Sequence, residues 1–465
     1  MDLVVGFDLD LTLVDPRPGA RKVWQRLAAE FGVPIDVELV LSRMGPPLQE
    51  ELAHWFPAER VEEVAEVYRA HSADFGARDV SAMPGARAAV DAVRRHGGRV
   101  VIATAKKAEL GATNLQVLGI EVDALHGWCW AETKGDAMLA EGAQVYVGDH
   151  PLDVLGARRA GAVSVGVRTG GSEPVEADVL LDDLTSFPAW LDEWVLDQRL
   201  ARLDARLREL GSVLVAFSGG ADSAFLLAAA VRALGPDRVV AATAVSPSLA
   251  LDELPAAQGF TAALGVRHLT PGTDELSRPG YVANGTDRCF HCKATLLDTL
   301  RPLAQAHGLA HVATGTNADD AVAGFRPGIG AAAERGAVTP LLDAGLTKAQ
   351  VREASRRWGL ATADKPALAC LASRIAYGVQ VTPARLARVD RLESALRALL
   401  RPTDVRVRDL GGGAARVELD PAALARWDGT AEAAVRQEFG QVEVCEFRSG
   451  SMNEVLLAGA TDEGR

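Results

Sequence analysis

The sequence predicts an α/β protein: two doubly wound parallel sheets, then a smaller α+β unit. Three observations carry this. Val4–Asp10 (VVGFDLD) is an apolar run ending in acids, and Ser212–Gly220 (SVLVAFSGG) is one ending in a glycine-rich turn. After each, strand-like and helix-like patterns alternate, as in βαβ units. The 465 residues exceed what one hydrophobic core usually serves, so two or three domains are expected. In order, Arg99–Ala103 and Gln144–Gly148 read as buried strands of the first sheet, and Arg238–Ala244 and His311–Gly315 as strands of the second. Leu184–Leu210 has apolar residues at helical spacing and reads as one helix, with the domain boundary near 183–206. The expected domains are residues 1–190, 200–370 and 371–465; the last reads as two helices, then strands such as Val405–Arg408 and Ala415–Leu419.

Composition narrows the function classes. The chain is 48% hydrophobic and 24% charged, which argues for folded rather than disordered domains. Five cysteines, an odd number in a long chain, fit reduced thiols in a cytoplasmic setting better than a disulfide framework. The start, MDLVVGFDLDLTLVD, has no basic region and is not read as a signal peptide. No apolar run is long enough to span a bilayer, so no membrane partner is expected. The net charge of −13 is uneven: residues 1–196 carry 18 Lys+Arg against 31 Asp+Glu, and residues 197–465 carry 31 of each. Neither part is basic, which gives a nucleic-acid partner no support. Small-molecule substrates are expected, and a homo-oligomer is left open.

Reactive residues stand where the first strands end. Asp8 and Asp10 are two apart in an extended segment, so their side chains face the same way. Converging acids can hold Mg²⁺, which takes oxygen ligands. One of them could attack phosphorus to form an aspartyl phosphate. Alone, Asp-Leu-Asp reads more simply as a solvated turn. Thr104 ends the strand Val100–Ala103, Lys134 follows in AETKGDAM, and Asp149 ends Val145–Gly148 with Asp153 four residues on. They add a hydroxyl donor, a cation for developing charge and acids to complete a Mg²⁺ shell. Open α/β sheets bind ligands at the carboxyl ends of their strands, where these residues would gather.

In this order the segments resemble the haloacid dehalogenase (HAD) superfamily, over roughly residues 1–190. The resemblance implies a Rossmannoid sheet with Asp8 as nucleophile and Asp10 as general acid/base. It also implies Thr104 and Lys134 on the phosphoryl group, with Asp8, Asp10, Asp149 and Asp153 around Mg²⁺. Residues from about 15 to 83 would form a helical cap that selects the substrate, with Trp24, Phe31, Trp55, Phe56 and Tyr68 in its core. ATAKK and GDHPLDV look most like the phosphoglycolate phosphatase branch. Leu11 stands where the family usually has Gly, a residue suited to positive φ or close backbone approach. A Leu side chain pointing into a pocket would alter substrate choice.

The second apolar strand leads into Phe217-Ser218-Gly219-Gly220-Ala221-Asp222-Ser223 and then a helix. Glycines let backbone N–H groups approach phosphate oxygens, and the helix N-terminus favours anions. Ser218 and Ser223 add hydroxyls. The spacing is not that of a Walker A loop, and a plain Gly-Gly turn with a Ser cap is the simpler reading of the loop alone. SGGxDS resembles the PP-loop ATP pyrophosphatases, which implies ATP as co-substrate at Ser218, Gly219, Gly220, Asp222 and Ser223.

Further segments narrow the family. They are Arg288-Cys289-Phe290-His291-Cys292-Lys293, Gly315–Asp320, Arg326-Pro327-Gly328, Lys365-Pro366-Ala367-Leu368-Ala369-Cys370-Leu371-Ala372-Ser373-Arg374, Val405–Arg408 and Phe447-Arg448-Ser449-Gly450-Ser451. Together they resemble the LarE family of ATP-dependent sulfur transferases of nickel-pincer cofactor synthesis. The resemblance implies that ATP adenylylates a carboxylate of a pyridinium mononucleotide. Cys370 then gives up its sulfur to make a thiocarboxylate, and Arg406 and Arg408 hold the substrate phosphate. A free cysteine is most often a small buried apolar residue; the CLASR context favours the catalytic reading. Arg374 beside Cys370 is expected to help lower the thiol pKa. Some members use several cysteines and an iron–sulfur cluster. Here only Cys445 lies beyond Cys370, which favours the single-cysteine version. Cys289 and Cys292 supply two ligands where structural zinc wants four, so they read as a structural or substrate-loop pair.

Other readings fit the same loop. A tRNA thiolation enzyme would want a basic RNA-binding surface, and residues 197–465 balance to zero. An amide-forming synthetase needs an ammonia source that the first domain does not resemble. A carrier or regulator with inactive heads is opposed by intact motifs in both.

Overall fold

The computed structural model describes residues 3–448 apart from 45–47, 170–174, 323–326 and 367–368. Arg326, Ala367, Leu368, Ser449, Gly450 and Ser451, quoted above, lie outside the described residues. The chain divides into two compact units, Met1–Val195 and Leu196–Arg465. The stretch from residue 371, expected as a third domain, is part of the second unit.

In the first unit Val4–Phe7, Arg99–Ala103, Ala124–His126, Val145–Gly148, Val163–Val167 and Val179–Leu181 form one six-stranded sheet, every pairing parallel. Val4–Phe7 is buried along its whole length. It lies between Arg99–Ala103 and Val145–Gly148, so the strand order turns back on itself beside it. That reversal opens a crevice at its carboxyl end. Phe7 is fully buried and meets Phe187 edge-on at 5.5 Å. Each large apolar side chain buried this way stabilises by roughly 1.5–3 kcal/mol. Between the first two strands in sequence, helices Arg17–Phe31, Val37–Ser42, Leu48–Ala53 and Val61–Asp74 enclose their own small core around Trp24, Leu27, Phe56 and Val64. The chain leaves for this cap and returns through a two-stranded ribbon, Val14–Asp15 with Ser81–Ala82.

In the second unit Arg267–Leu269, Val239–Ala242, Val213–Ala216 and His311–Ala313 form a four-stranded parallel sheet. Val213–Ala216 is again central and wholly buried. The helix Ala221–Leu234 follows it and buries nine of its 14 residues, with Phe225 stacked on Trp358 at 4.8 Å. Farther on, where two helices were expected, a short 3-10 turn (Leu371–Arg374) precedes one 18-residue helix, Pro383–Leu400. That helix covers a three-stranded sheet of Val405–Gly411, Ala414–Leu419 and Gln441–Glu446. Phe187–Leu210 is one 24-residue helix. Its Phe187, Leu191 and Val195 belong to the first core, and its Leu196, Leu203, Leu207 and Leu210 to the second.

The cap depends on one close approach. A Cβ at Gly19, in the first cap helix, would stand 2.0 Å from the Gly76 carbonyl oxygen and 2.9 Å from that of Asp79. Backbone cannot yield as a flexible side chain does, so Gly19→Ala should destabilise the first unit by about 1–3 kcal/mol. Thermal unfolding of the full chain measures this; an unchanged midpoint would contradict it.

Candidate active sites

In the first unit Asp8 follows the central strand, and its N–H donates to the Val147 carbonyl at 2.8 Å. Lys134, buried in the helix Glu132–Glu141, reaches Asp8 at 2.8 Å and Asp153 at 2.7 Å. Asp153 is the third residue of the helix Pro151–Ala160, where it accepts the His150 N–H. No Cβ fits at Gly148: it would meet the Asp153 side chain at 2.3 Å. Asp149 is held by the Thr12 hydroxyl at 3.0 Å. Oxygens of Asp8, Asp149 and Asp153 all lie within 4.8 Å of one another. Thr104 stands buried at the end of its strand.

Burial pushes the Asp8 carboxyl up to about 7, against the pull of Lys134 and with help from Asp153 and Asp10. Burial, then Asp8 and Asp153, push Asp149 up to about 8. For Lys134 burial works against the ammonium, but Asp8, Tyr146 and Asp153 outweigh it and hold the group charged. Three buried acids facing one lysine leave surplus negative charge in a dry site. That donor set fits an oxygen-seeking divalent cation such as Mg²⁺.

Asp10, also expected at the metal, lies outside this group of three. Its carboxylate pairs with Lys106 at 2.7 Å. Lys106 also donates to Asn114 at 2.8 Å, and Asn114 in turn donates to the Ala77 carbonyl where the cap rejoins the sheet unit. Sequence reasoning gave Lys106 no role; its place two residues after Thr104 was the available signal. Leu11 adopts φ +61°, the left-handed region that Gly usually serves, and lines the cavity above the acids.

In the second unit Gly219 takes φ +71° and the loop closes on itself. The Ser223 hydroxyl donates to the Gly220 carbonyl at 3.1 Å, and the Ser218 and Ser223 hydroxyls lie 3.2 Å apart. Asp222 accepts from Asn317 at 3.2 Å, with the Lys348 ammonium 3.5 Å away. Lys365, also without a role in the sequence reading, donates to the Gly219 carbonyl at 3.0 Å and pairs with Glu253 at 3.0 Å. A cationic group thus stands at the loop from far along the chain. Gly315 passes so close that a Cβ would lie 2.9 Å from the Ser223 nitrogen.

A family model for haloacid dehalogenase-like hydrolases matches residues 5–123. A plasmid-encoded phosphoglycolate phosphatase of Cupriavidus necator is 32% identical over 209 residues, 40% of this chain and 90% of that protein. The pyridinium-3,5-bisthiocarboxylic acid mononucleotide synthase of Lactiplantibacillus plantarum, a LarE protein, is 33% identical over 267 residues, 56% of this chain and 96% of that one. The chain is a HAD-like hydrolase fused to a LarE-family protein. An uncharacterized Synechocystis protein, slr1717, is 41% identical over 270 residues, 56% of this chain and 99% of its own length.

Within the LarE-family unit Cys370 is exposed at the head of the 3-10 turn. Its surroundings change the expectation for Arg374. That guanidinium is buried, pairs with Glu393 at 2.9 and 3.2 Å, and donates to the carbonyls of Cys370 (3.1 Å) and Ala369. It shares Glu393 with Arg397, and its bonds to the two carbonyls fix the backbone of Cys370. Arg408 is likewise engaged, donating twice to Glu418 and once to the Ser373 carbonyl. Arg406 is buried beside it, with its guanidinium 5.2 Å over the Phe447 ring. Leu371 donates to the Ser248 carbonyl, and Arg288 at the start of the helix Arg288–Ala306 donates to that of Ala372 at 2.9 Å. These ties bring the turn to Cys289 and Cys292 on that helix. Burial pushes the Cys292 thiol well up, with Cys370, Glu275 and Cys289 adding to it. Three cysteines therefore share one neighbourhood, where the sequence suggested one cysteine and a separate pair.

Two predictions follow from these charges. Asp8 and Asp149 bind protons in the fold at pH values where the unfolded chain has lost them, so without metal the cluster's contribution to stability falls as pH rises from about 4 towards 8. In EDTA, Asp149→Asn should therefore raise the thermal midpoint more at pH 8 than at pH 5, and Mg²⁺ should stabilise the wild type more than the variant. Equal effects at both pH values, or none from Mg²⁺, would contradict this. Glu393→Gln leaves the Arg374 charge buried without its partner and should cost about 3–5 kcal/mol, read by denaturant unfolding; a loss under about 1 kcal/mol, the worth of an exposed pair, would count against it.

Proposed function

We propose that this is a bifunctional enzyme whose two units do unrelated chemistry. The LarE-family unit binds ATP at Ser218–Ser223, and a carboxylate of a pyridinium mononucleotide attacks the α-phosphorus, releasing pyrophosphate. The Cys370 thiolate then attacks the acyl carbon and AMP leaves. Loss of the Cys370 Cα proton breaks its Cβ–S bond, so the product leaves as a thiocarboxylate and dehydroalanine remains. The observation that supports this best is the exposure of Cys370, with its backbone carbonyl held by Arg374, in the same unit as a pyrophosphate-type loop. Arg406 remains the candidate for the substrate phosphate, with Arg408 shaping the site through Glu418.

The HAD unit is proposed to hydrolyse a phosphomonoester. Asp8 attacks phosphorus as the ester oxygen leaves, and Asp10, held by Lys106, gives that oxygen its proton. Thr104 and Lys134 steady the phosphoryl oxygens, and water then attacks the aspartyl phosphate with Asp10 as base. Asp8, Asp149 and Asp153 would hold Mg²⁺, which would supply charge neutralisation at the phosphoryl group.

A second reading rests on Cys289 and Cys292 beside Cys370. Three thiolates suit an iron–sulfur cluster with an open corner, and sulfur would then come from outside the polypeptide. Iron and acid-labile sulfide in anaerobically prepared protein, lost in Cys292→Ser, would favour it.

Separate chemistries predict separable defects. Cys370→Ala should keep pyrophosphate release and phosphomonoester hydrolysis but form no thiocarboxylate. Asp8→Asn should lose at least a thousandfold in hydrolysis, as loss of a covalent nucleophile does, while leaving thiocarboxylate formation intact. Thiocarboxylate from Cys370→Ala, or hydrolysis by Asp8→Asn at the wild-type rate, would refute the corresponding assignment.

A further inference from the structure

The cavity above Asp8 and Asp149 measures roughly 730 Å³, a volume suited to a drug-sized ligand rather than a two-carbon phosphate ester. One wall is aromatic. Trp128 and Trp130 line it and are 63% and 39% exposed. Large exposed apolar side chains at a cavity mouth mark a binding surface.

These rings are held in place. Between them Cys129 is buried, and its N–H donates to the Thr104 carbonyl at 2.9 Å. The Trp128 N–H donates to the Lys106 carbonyl at 2.9 Å, and the Trp130 N–H to the Thr133 hydroxyl at 2.7 Å. Gly127 lies against the start of the preceding helix, Ala108–Leu118, where a Cβ would meet the Ala108 nitrogen at 2.3 Å. The platform is thus tied to the backbone that carries the phosphate-binding hydroxyl. The loop also carries strain: Trp128 has φ +57° and Ala131 φ +49°, and neither is glycine. Such strain persists only where surrounding contacts over-determine it, and it gathers at ligand sites. Cationic or polar groups flank the rings, with the Lys107 ammonium 5.8 Å over Trp128 and the His150 ring 6.2 Å from Trp130.

We propose that the HAD unit acts on a phosphomonoester of mononucleotide size that carries a flat aromatic ring, stacked on Trp128 and Trp130 while the phosphate sits at Asp8, Thr104 and Lys134. Lys107 favours a ring bearing a carboxylate. This rests on the phosphomonoester hydrolase reading of the same acids.

The test uses the full chain with Mg²⁺ and four probes: nicotinate mononucleotide, AMP, 2-phosphoglycolate and glycerol 3-phosphate. The ring-bearing esters should have kcat/KM roughly tenfold or more above the aliphatic ones, within the range one base stacked on an aromatic side chain gives. Trp128→Ala with Trp130→Ala should collapse that ratio, mainly through KM, and Trp128→Phe with Trp130→Phe should keep most of it. A preference for the aliphatic esters, or a ratio unmoved by the Ala pair, would overturn the proposal. Hydrolysis of no ester at all would instead remove the hydrolase reading. Binding then decides the platform: fluorescence quenching by nicotinate mononucleotide that is present in the wild type and missing from the Phe pair upholds it, and equal quenching in both overturns it.

Discussion

Two short strands place the leading acid of one unit and the glycine-rich loop of the other. Val4–Phe7 and Val213–Ala216 are each four residues long, wholly buried and paired in parallel on both sides. Each strand is hydrogen-bonded on both sides and packs apolar side chains into a core on each face of its sheet. The residues that follow it are therefore delivered to the carboxyl edge of the sheet. In the first unit these are Asp8 and its neighbours; in the second they are Ser218, Gly219 and Gly220. The same constraint serves two chemistries because the residues after the strand differ.

Both units then manage charge in a dry interior. Lys134 is buried between Asp8 and Asp153, and Arg374 between Glu393 and a pair of carbonyls. Either cation alone would be costly, and each is retained where it fixes a reactive group. The outcomes differ in sign. Around Lys134 the acids outnumber the base, which leaves room for a divalent cation. Around Arg374 the bases outnumber the acid, because Arg397 shares Glu393, and Arg374 orients the Cys370 backbone.

The sequence makes the local parts of this arrangement readable. The parallel sheets, the linking helix and the strand-end acids follow from apolar runs and their punctuation. The substitution of Leu11 for Gly pointed to a backbone position with positive φ, and Leu11 adopts it. Contacts between distant segments were not readable. Lys106 and Asp10 are 96 residues apart and Lys365 and Gly219 are 146 apart. Their pairings depend on which loops the folds bring together. Arg374 and Arg408 were placed by motif, but a motif does not show that Glu393 and Glu418 already hold them. The meeting of Cys370 with Cys289 and Cys292 has the same origin: ties through Arg288 and Ser248 that no spacing rule supplies. After Ala372, where the sequence reads as two helices, one 18-residue helix, Pro383–Leu400, precedes the strands.

The central claim is that Cys370 itself supplies the sulfur. Its most direct test is the intact mass of the protein before and after one turnover with ATP, Mg²⁺ and a dicarboxylated pyridinium mononucleotide. The account predicts the loss of one H₂S equivalent, mapped to residue 370. An unchanged mass alongside thiocarboxylate product would contradict it and move the sulfur source away from the polypeptide.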